Sequence, residues 1–230
     1  MGLRLTNHSQ GIEALRMPVA RSGHNRRVEH RAKRAFDIVV SLIALILLAP
    51  LIAVVAIAIR LQDGHRAIFY QVRFGQYGET FHCFKLRSMV PDAKQQLDHI
   101  LATDPDARRE WEATQKLTKD PRITPLGDFI RKTSIDELPQ LFNVLRGDMS
   151  LVGPRPIVEN EVAKYGEHFD QYSKVRPGLT GMWQIRGRSN TTYPQRVAMD
   201  VEYANTRTFW GDVKILILTV PAVFFSRGAR

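Results

Sequence analysis

The stretch Ile38–Ile59, IVVSLIALILLAPLIAVVAIAI, sets the architecture: it runs 22 residues without a charge, and Ser41 is its one conventionally polar side chain. As a helix it would be roughly 33 Å long, enough to traverse the hydrocarbon of a bilayer. A buried helix of a soluble protein is the ordinary alternative. A cleaved signal peptide fits less well, because the run starts late, is long and lacks a small-residue cleavage site. Pro50, just past the centre, removes an N–H donor and should kink or break a helix there. Cationic residues flank both ends: Arg21, Arg26, Arg27, Arg31, Lys33 and Arg34 precede the run, and Arg60, Arg66, Arg73, Lys85 and Arg87 follow it. If cationic flanks stay cytoplasmic, both ends belong on one side, which a helix bent at Ala49-Pro50 satisfies. The residues alone leave that hairpin and a true crossing equally open.

Working outward, residues 1–32 read as an unstructured basic leader, with Gly11, Pro18 and Gly23 and no sustained periodicity. The Arg21–Arg34 cluster either grips anionic lipid or is merely solvated. Across the 230 residues, 33 Lys and Arg against 23 Asp and Glu give a formal charge of +10. Such a balance implies an anionic partner: nucleic acid, an acidic lipid surface or a phosphorylated small molecule. The single cysteine, Cys83, excludes an internal disulfide and a cysteine-based zinc cluster, and reads as a small buried hydrophobe. No P-loop, dinucleotide fingerprint, zinc signature or HExxH is present.

Residues 61–208 read as a soluble part. AIFYQVRFG and ETFHCFKLR are β-prone and separated by Gln76-Tyr77-Gly78, which predicts a hairpin. Pro91 and Pro105 open two amphipathic helices, the second containing Trp111. They either pack on a core, the more ordinary outcome, or lie against a membrane. Ser134 with Glu137 three residues on has the form of a capping box leading into LPQLFNVLR, which Gly147 can close. That would put Asp136 and Glu137 in a helix first turn, where a bare helix start is the simpler reading. Arg131, Arg155, Arg176, Arg186 and Arg188, with Gly178, Gly181 and Gly187 nearby, suit phosphate oxygens, although charge runs are usually solvated faces. Residues 209–230 are apolar again, interrupted by Asp212 and Lys214. The uncharged remainder is too short for an ordinary crossing and reads as an interfacial helix, with a core helix as the alternative.

Five segments carry a resemblance: KRAFD (33–37), FYQVRFGQYGETFHCFKLRSM (69–89), DPRITPLGDFIRKTSIDELPQLFNVLRGDMSLVGPRP (120–156), RPGLTGMWQIRGR (176–188), and the tail with Asp200, Tyr203, Trp210 and Asp212. The chain resembles the bacterial sugar transferase family, the monotopic phosphoglycosyl transferases that start surface and exported polysaccharides on a polyprenyl phosphate. The resemblance runs from about Lys33 to Thr219. It implies an α+β fold: a small α/β catalytic domain on the cytoplasmic face of the bacterial inner membrane, a re-entrant membrane helix (33–60) broken near Pro50, and amphipathic interfacial helices. It also implies that Asp136 is a nucleophile, that Glu137 binds Mg²⁺, and that Lys85, Arg87, Arg131, Arg155, Arg176, Arg186 and Arg188 serve phosphorylated substrates. Those substrates would be a UDP-hexose, with galactose or glucose expected, and undecaprenyl phosphate. Anionic lipids and downstream glycosyltransferases would be partners. Leu86 stands where many relatives carry Phe, a change of packing more than chemistry. The chain looks minimal beside larger relatives that have a multi-span N-terminal region.

A non-catalytic basic membrane adaptor of polysaccharide export would also explain the apolar run and the charge. It gives Asp136-Glu137 no role. A nucleic-acid partner is not expected, since no recognised DNA or RNA module is present and such a binder has no need of the apolar run.

Overall fold

The computed structural model describes residues 23–114, 117–186 and 191–224. The apolar run lies within one helix, α1 (Gly23–Asp63), and Pro50 sits inside it. The expected break is thus not a stop in helical structure: an interior proline costs about 3 kcal/mol, which packing on either side offsets. Helix also begins at Gly23, inside the segment expected to be an unstructured leader.

The docked face of α1 recurs at Asp37, Ser41, Ala44, Leu48, Ile52, Val55 and Ile59. These steps of three and four keep phase across Pro50. On the other side Ile43, Ile46, Leu47, Val54, Ile57 and Leu61 are more than half exposed, a surface suited to lipid. Among the described residues α1 is the one helix long and apolar enough to cross a membrane.

The remainder is helix-rich α+β with two small sheets instead of one large one. Strands β1 (Ile68–Phe74) and β2 (Thr80–Leu86) form the expected antiparallel hairpin, Ile68 opposite Leu86, around a turn at Gln76–Gly78. Strands β3 (Ser150–Val152) and β4 (Gly178–Thr180) pair in parallel. Helices α2 (Ala93–Thr103) and α3 (Pro105–Thr114) pack mainly on each other, and α2 buries none of its residues. Core packing, the more ordinary outcome, is therefore not what α2 does, whereas Trp111 of α3 lies against the buried Arg122 guanidinium, 5.3 Å from the ring centre. Among the described residues the further helices are α4 (Pro125–Lys132), α5 (Gln140–Arg146), α6 (Glu159–Tyr165), α7 (Phe169–Ser173), α8 (Met182–Arg186), α9 (Tyr193–Thr206) and α10 (Phe209–Phe224).

The two halves of α1 dock on different clusters. Phe36, Val40 and Leu45 pack against Cys83, Val144, Leu151, Met182 and Ile215, so Cys83 is the buried hydrophobe expected. Val55 and Ile59 pack with Leu86 and Ile130. Polar anchors secure both ends. Arg34 donates to Val144 O (2.6 Å) and Leu145 O (2.9 Å), carbonyls at the end of α5, and Asp37 accepts from Ser150 Oγ at 2.9 Å. Beyond the run, Arg87 donates to both carboxylate oxygens of Asp63 at 2.6 Å.

Asn143, fully buried on α5, behaves like a residue of a neighbouring strand. Its amide accepts from the Phe84 N–H (3.0 Å) and donates to His82 O (2.7 Å), which satisfies the free edge of β2. The strand that carries Lys85 is thereby fixed to the helix that follows the Asp136 turn. The tail residues are staples as well. Tyr165 donates to Asp200 at 2.7 Å, burial pushes Asp200 up to about 7, and Tyr203 Oη lies 2.8 Å from Asp212. Trp210, by contrast, is exposed on α10.

Candidate active site

Asp136 and Glu137 lie on a single 3-10 turn, Ile135–Glu137, between α4 and α5. The capping box is not formed. Ser134 is left-handed (φ 58°) and its side chain caps nothing, while α5 starts only at Gln140, after Pro139. A left-handed non-glycine residue costs roughly 1–2 kcal/mol, and here it turns the chain so that Asp136 is buried. Gly147 closes α5 as expected: its φ of 96° suits glycine, and its N–H reaches Asn143 O and Val144 O.

Glu137 faces cations instead of a helix start. Lys85 Nζ from β2 donates to Glu137 Oε1 at 2.7 Å, and Arg155, in the loop after β3, donates to the same oxygen at 3.3 Å. Lys85 Nζ is also 3.9 Å from Asp136 Oδ2. Arg131, in the last turn of α4, adds its charge to the field at Asp136.

These surroundings drive the two carboxyls apart. Burial pushes Asp136 up to about 6, against the pull of Lys85 and with the help of the Glu137 charge. Burial also acts upward on Glu137, but Lys85 and Arg155 outweigh it and hold Glu137 well below the usual carboxylate range. Adjacent carboxyls with opposed shifts are a mark of divided roles. A poorly solvated carboxylate suits attack on an electrophile, and a permanently ionised one suits holding charge.

Beside the pair is a small recess of about 10 Å³, whose lining includes Arg73, Lys85, Glu137, Gln140 and Arg155. Arg73 and Gln140 were not among the residues expected here. Arg73 donates to Pro156 O at 2.7 Å and so positions the loop carrying Arg155. Among the described residues no three His, Cys, Asp or Glu side chains converge on a dedicated metal cage. Asp136 and Glu137 do supply carboxylate oxygens of the kind Mg²⁺ accepts when a substrate's phosphates complete its shell.

The structure therefore brings Lys85, Arg131 and Arg155 to the pair and places other expected cations elsewhere. Arg87 is engaged by Asp63, Arg186 is 3.1 Å from Glu202, and Arg176 lines a separate cleft. Arg188 lies outside the described residues. Of the glycines near Arg176, Gly178 spends its N–H on Pro154 O and is not free for a phosphate, while Gly187 lies outside the described residues. A Cβ on Gly178 would sit 2.0 Å from Gly153 N, so this glycine permits a backbone contact that anchors the loop holding Arg155.

Two adjacent carboxyls with cations beside them thus sit on a small α+β body that carries one long, largely exposed apolar helix. Residues 28–226 match the bacterial sugar transferase family, and the chain belongs to it. An uncharacterized sugar transferase of Haemophilus influenzae is 50% identical over 197 residues, covering 86% of this chain and 42% of that protein. The undecaprenyl-phosphate galactose phosphotransferase of Salmonella typhimurium is 48% identical over 204 residues, covering 89% and 43%. The exopolysaccharide production protein ExoY of Rhizobium meliloti is 42% identical over 208 residues, covering 90% and 92%. The chain thus spans about two fifths of the length of the first two relatives and nearly all of the third.

Proposed function

We propose that the chain transfers hexose 1-phosphate from a UDP-sugar to undecaprenyl phosphate, releasing UMP. The observation that carries this reading is the placement of Asp136 and Glu137 on one turn, with Lys85 and Arg155 bonded to Glu137 and Lys85 also 3.9 Å from Asp136, in a chain of this family. An Asp136 oxygen attacks the sugar-bearing phosphorus, the bond to the bridging oxygen breaks, and UMP departs with that oxygen. The sugar phosphate is left on the carboxylate. An oxygen of the lipid phosphate then attacks the same phosphorus, restoring Asp136 and forming the lipid diphosphate sugar.

Both substrates are anionic, so attack by a carboxylate needs local positive charge. Lys85 and Arg155 supply it and keep Glu137 ionised. Glu137, together with substrate phosphate oxygens, would hold Mg²⁺, which when bound neutralises the diphosphate. Relatives named for galactose and glucose phosphotransfer make UDP-galactose and UDP-glucose the first donors to test.

We place α1 as a re-entrant helix with the catalytic part on the cytoplasmic face of the inner membrane. Support comes from the anchors Asp37 and Asp63, at opposite ends of the apolar run yet both bonded to one globular body. Tags at the N-terminus and at Thr103 should both report cytoplasmic; labelling on opposite sides would make α1 a true crossing.

The function is tested by UMP release from a panel of UDP-sugars in the presence of Mg²⁺ and undecaprenyl phosphate. Stimulated release from one sugar is expected. Silence across the panel from folded protein would leave the adaptor reading in its place.

A further inference from the structure

A second cleft, of about 270 Å³, shares no lining residue with the recess beside the carboxylate pair. Five cations line it: Lys33 and Arg34 from α1, Lys174 and Arg176 from the segment before β4, and Arg207 just after α9. Asp37 is the one carboxylate among them. Lys33 is ion-paired with Asp212 at 2.6 Å, with Asp37 at 3.7 Å. Arg34 spends its donors on the neutral carbonyls of Val144 and Leu145, so its charge is not cancelled there. Among the described residues no carboxylate lies within ion-pair distance of Lys174, Arg176 or Arg207.

Like charges gathered in a concave space repel one another, and an anion is what would relieve them. Arg34, Arg176 and Arg207 are each partly buried, so this is not a fully solvated face. The position of the cleft points to the kind of anion. Asp37 immediately precedes the apolar run of α1, and Arg207 lies two residues before α10, whose Trp210, Ile217 and Val220 are exposed. Two lipid-suited surfaces therefore begin at its rim, which is where a head group would sit. Guanidinium forks match phosphate oxygens.

We infer that this cleft is a phosphate-ester site separate from Asp136-Glu137, and that its ligand is the phosphate head group of a membrane lipid. The inference does not depend on the transferase reading, because it concerns binding and not turnover.

The test uses the full chain in nonionic detergent, with native mass spectrometry to count bound dioctanoyl phosphatidic acid. One saturable molecule should bind, and dioctanoylglycerol, which lacks the phosphate, should not. Arg176→Gln, Arg207→Gln and Lys174→Gln should each weaken binding by about tenfold; Lys174 is exposed, so that variant keeps the test alive if the others misfold. Arg155→Gln, at the other site, should leave the affinity for phosphatidic acid unchanged. Inorganic phosphate binding as tightly as the lipid would overturn the lipid assignment and give the cleft to a soluble phosphate. Unaltered phosphatidic acid binding by a folded Arg176→Gln, Arg207→Gln double variant would overturn the site itself.

Discussion

Asp136→Asn protein is expected to show no detectable turnover, a loss on the order of 10⁴-fold or more, while remaining folded. Losses of that size follow removal of a nucleophile elsewhere. The amide nearly preserves the shape of the carboxyl but is a poor nucleophile. Because burial disfavours the charged form of Asp136, exchanging it for a neutral group removes a desolvation cost, and thermal stability should be kept. Unchanged melting with lost activity would therefore separate chemistry from folding. Wild-type protein incubated with its UDP-sugar and Mg²⁺, and no lipid, should release one equivalent of UMP and gain the mass of a hexose phosphate at Asp136. Undecaprenyl phosphate should then discharge that adduct, and initial rates should give the parallel lines of a ping-pong mechanism. The decisive result lies with the variant. Full turnover by verified Asp136→Asn protein would move the nucleophile to another group.

Ile38–Ile59 could be read directly because an uninterrupted apolar run needs no tertiary information. The hairpin around Gln76-Tyr77-Gly78 and the end of α5 at Gly147 were legible for the same reason, being local backbone chemistry. The Ser134–Glu137 spacing misled because local grammar cannot see that Lys85, 52 positions upstream, competes for the Glu137 side chain. Arginines posed a related problem. In sequence Arg87, Arg155, Arg176 and Arg186 are equivalent cations, and only the fold gives Arg87 to Asp63, Arg186 to Glu202 and Arg155 to Glu137. Asn143 left no signal, since an asparagine inside LPQLFNVLR gives no hint that its amide will complete the edge of a strand. Asp136-Glu137 was legible through the long family motif, whereas the opposed environments of the two carboxyls come only from three separate segments meeting.

Glu137→Gln should lower turnover by roughly 10²-fold or more, the scale on which removing one electrostatic stabiliser acts. The substitution keeps the length of the side chain and an oxygen that Lys85 can still donate to. It removes the charge that holds Lys85 at 2.7 Å and Arg155 at 3.3 Å, and charge-assisted hydrogen bonds are worth about 1.5–3 kcal/mol each. Two causes of the loss can then be told apart. If Glu137 is a Mg²⁺ ligand, half-saturation of UMP release should move to higher Mg²⁺, and excess metal should restore only part of the rate, because a neutral amide oxygen is a weaker ligand for a hard cation. If Glu137 serves only to position Lys85 and Arg155, the maximal rate should fall with the Mg²⁺ dependence unmoved. A cycle with Lys85→Gln adds a second reading. Residues acting through one shared contact should show a double variant scarcely worse than the poorer single one, and independent roles should add. Near-full turnover by folded Glu137→Gln protein at low Mg²⁺ would remove both roles, leaving Glu137 as a neighbour that the two cations merely happen to reach.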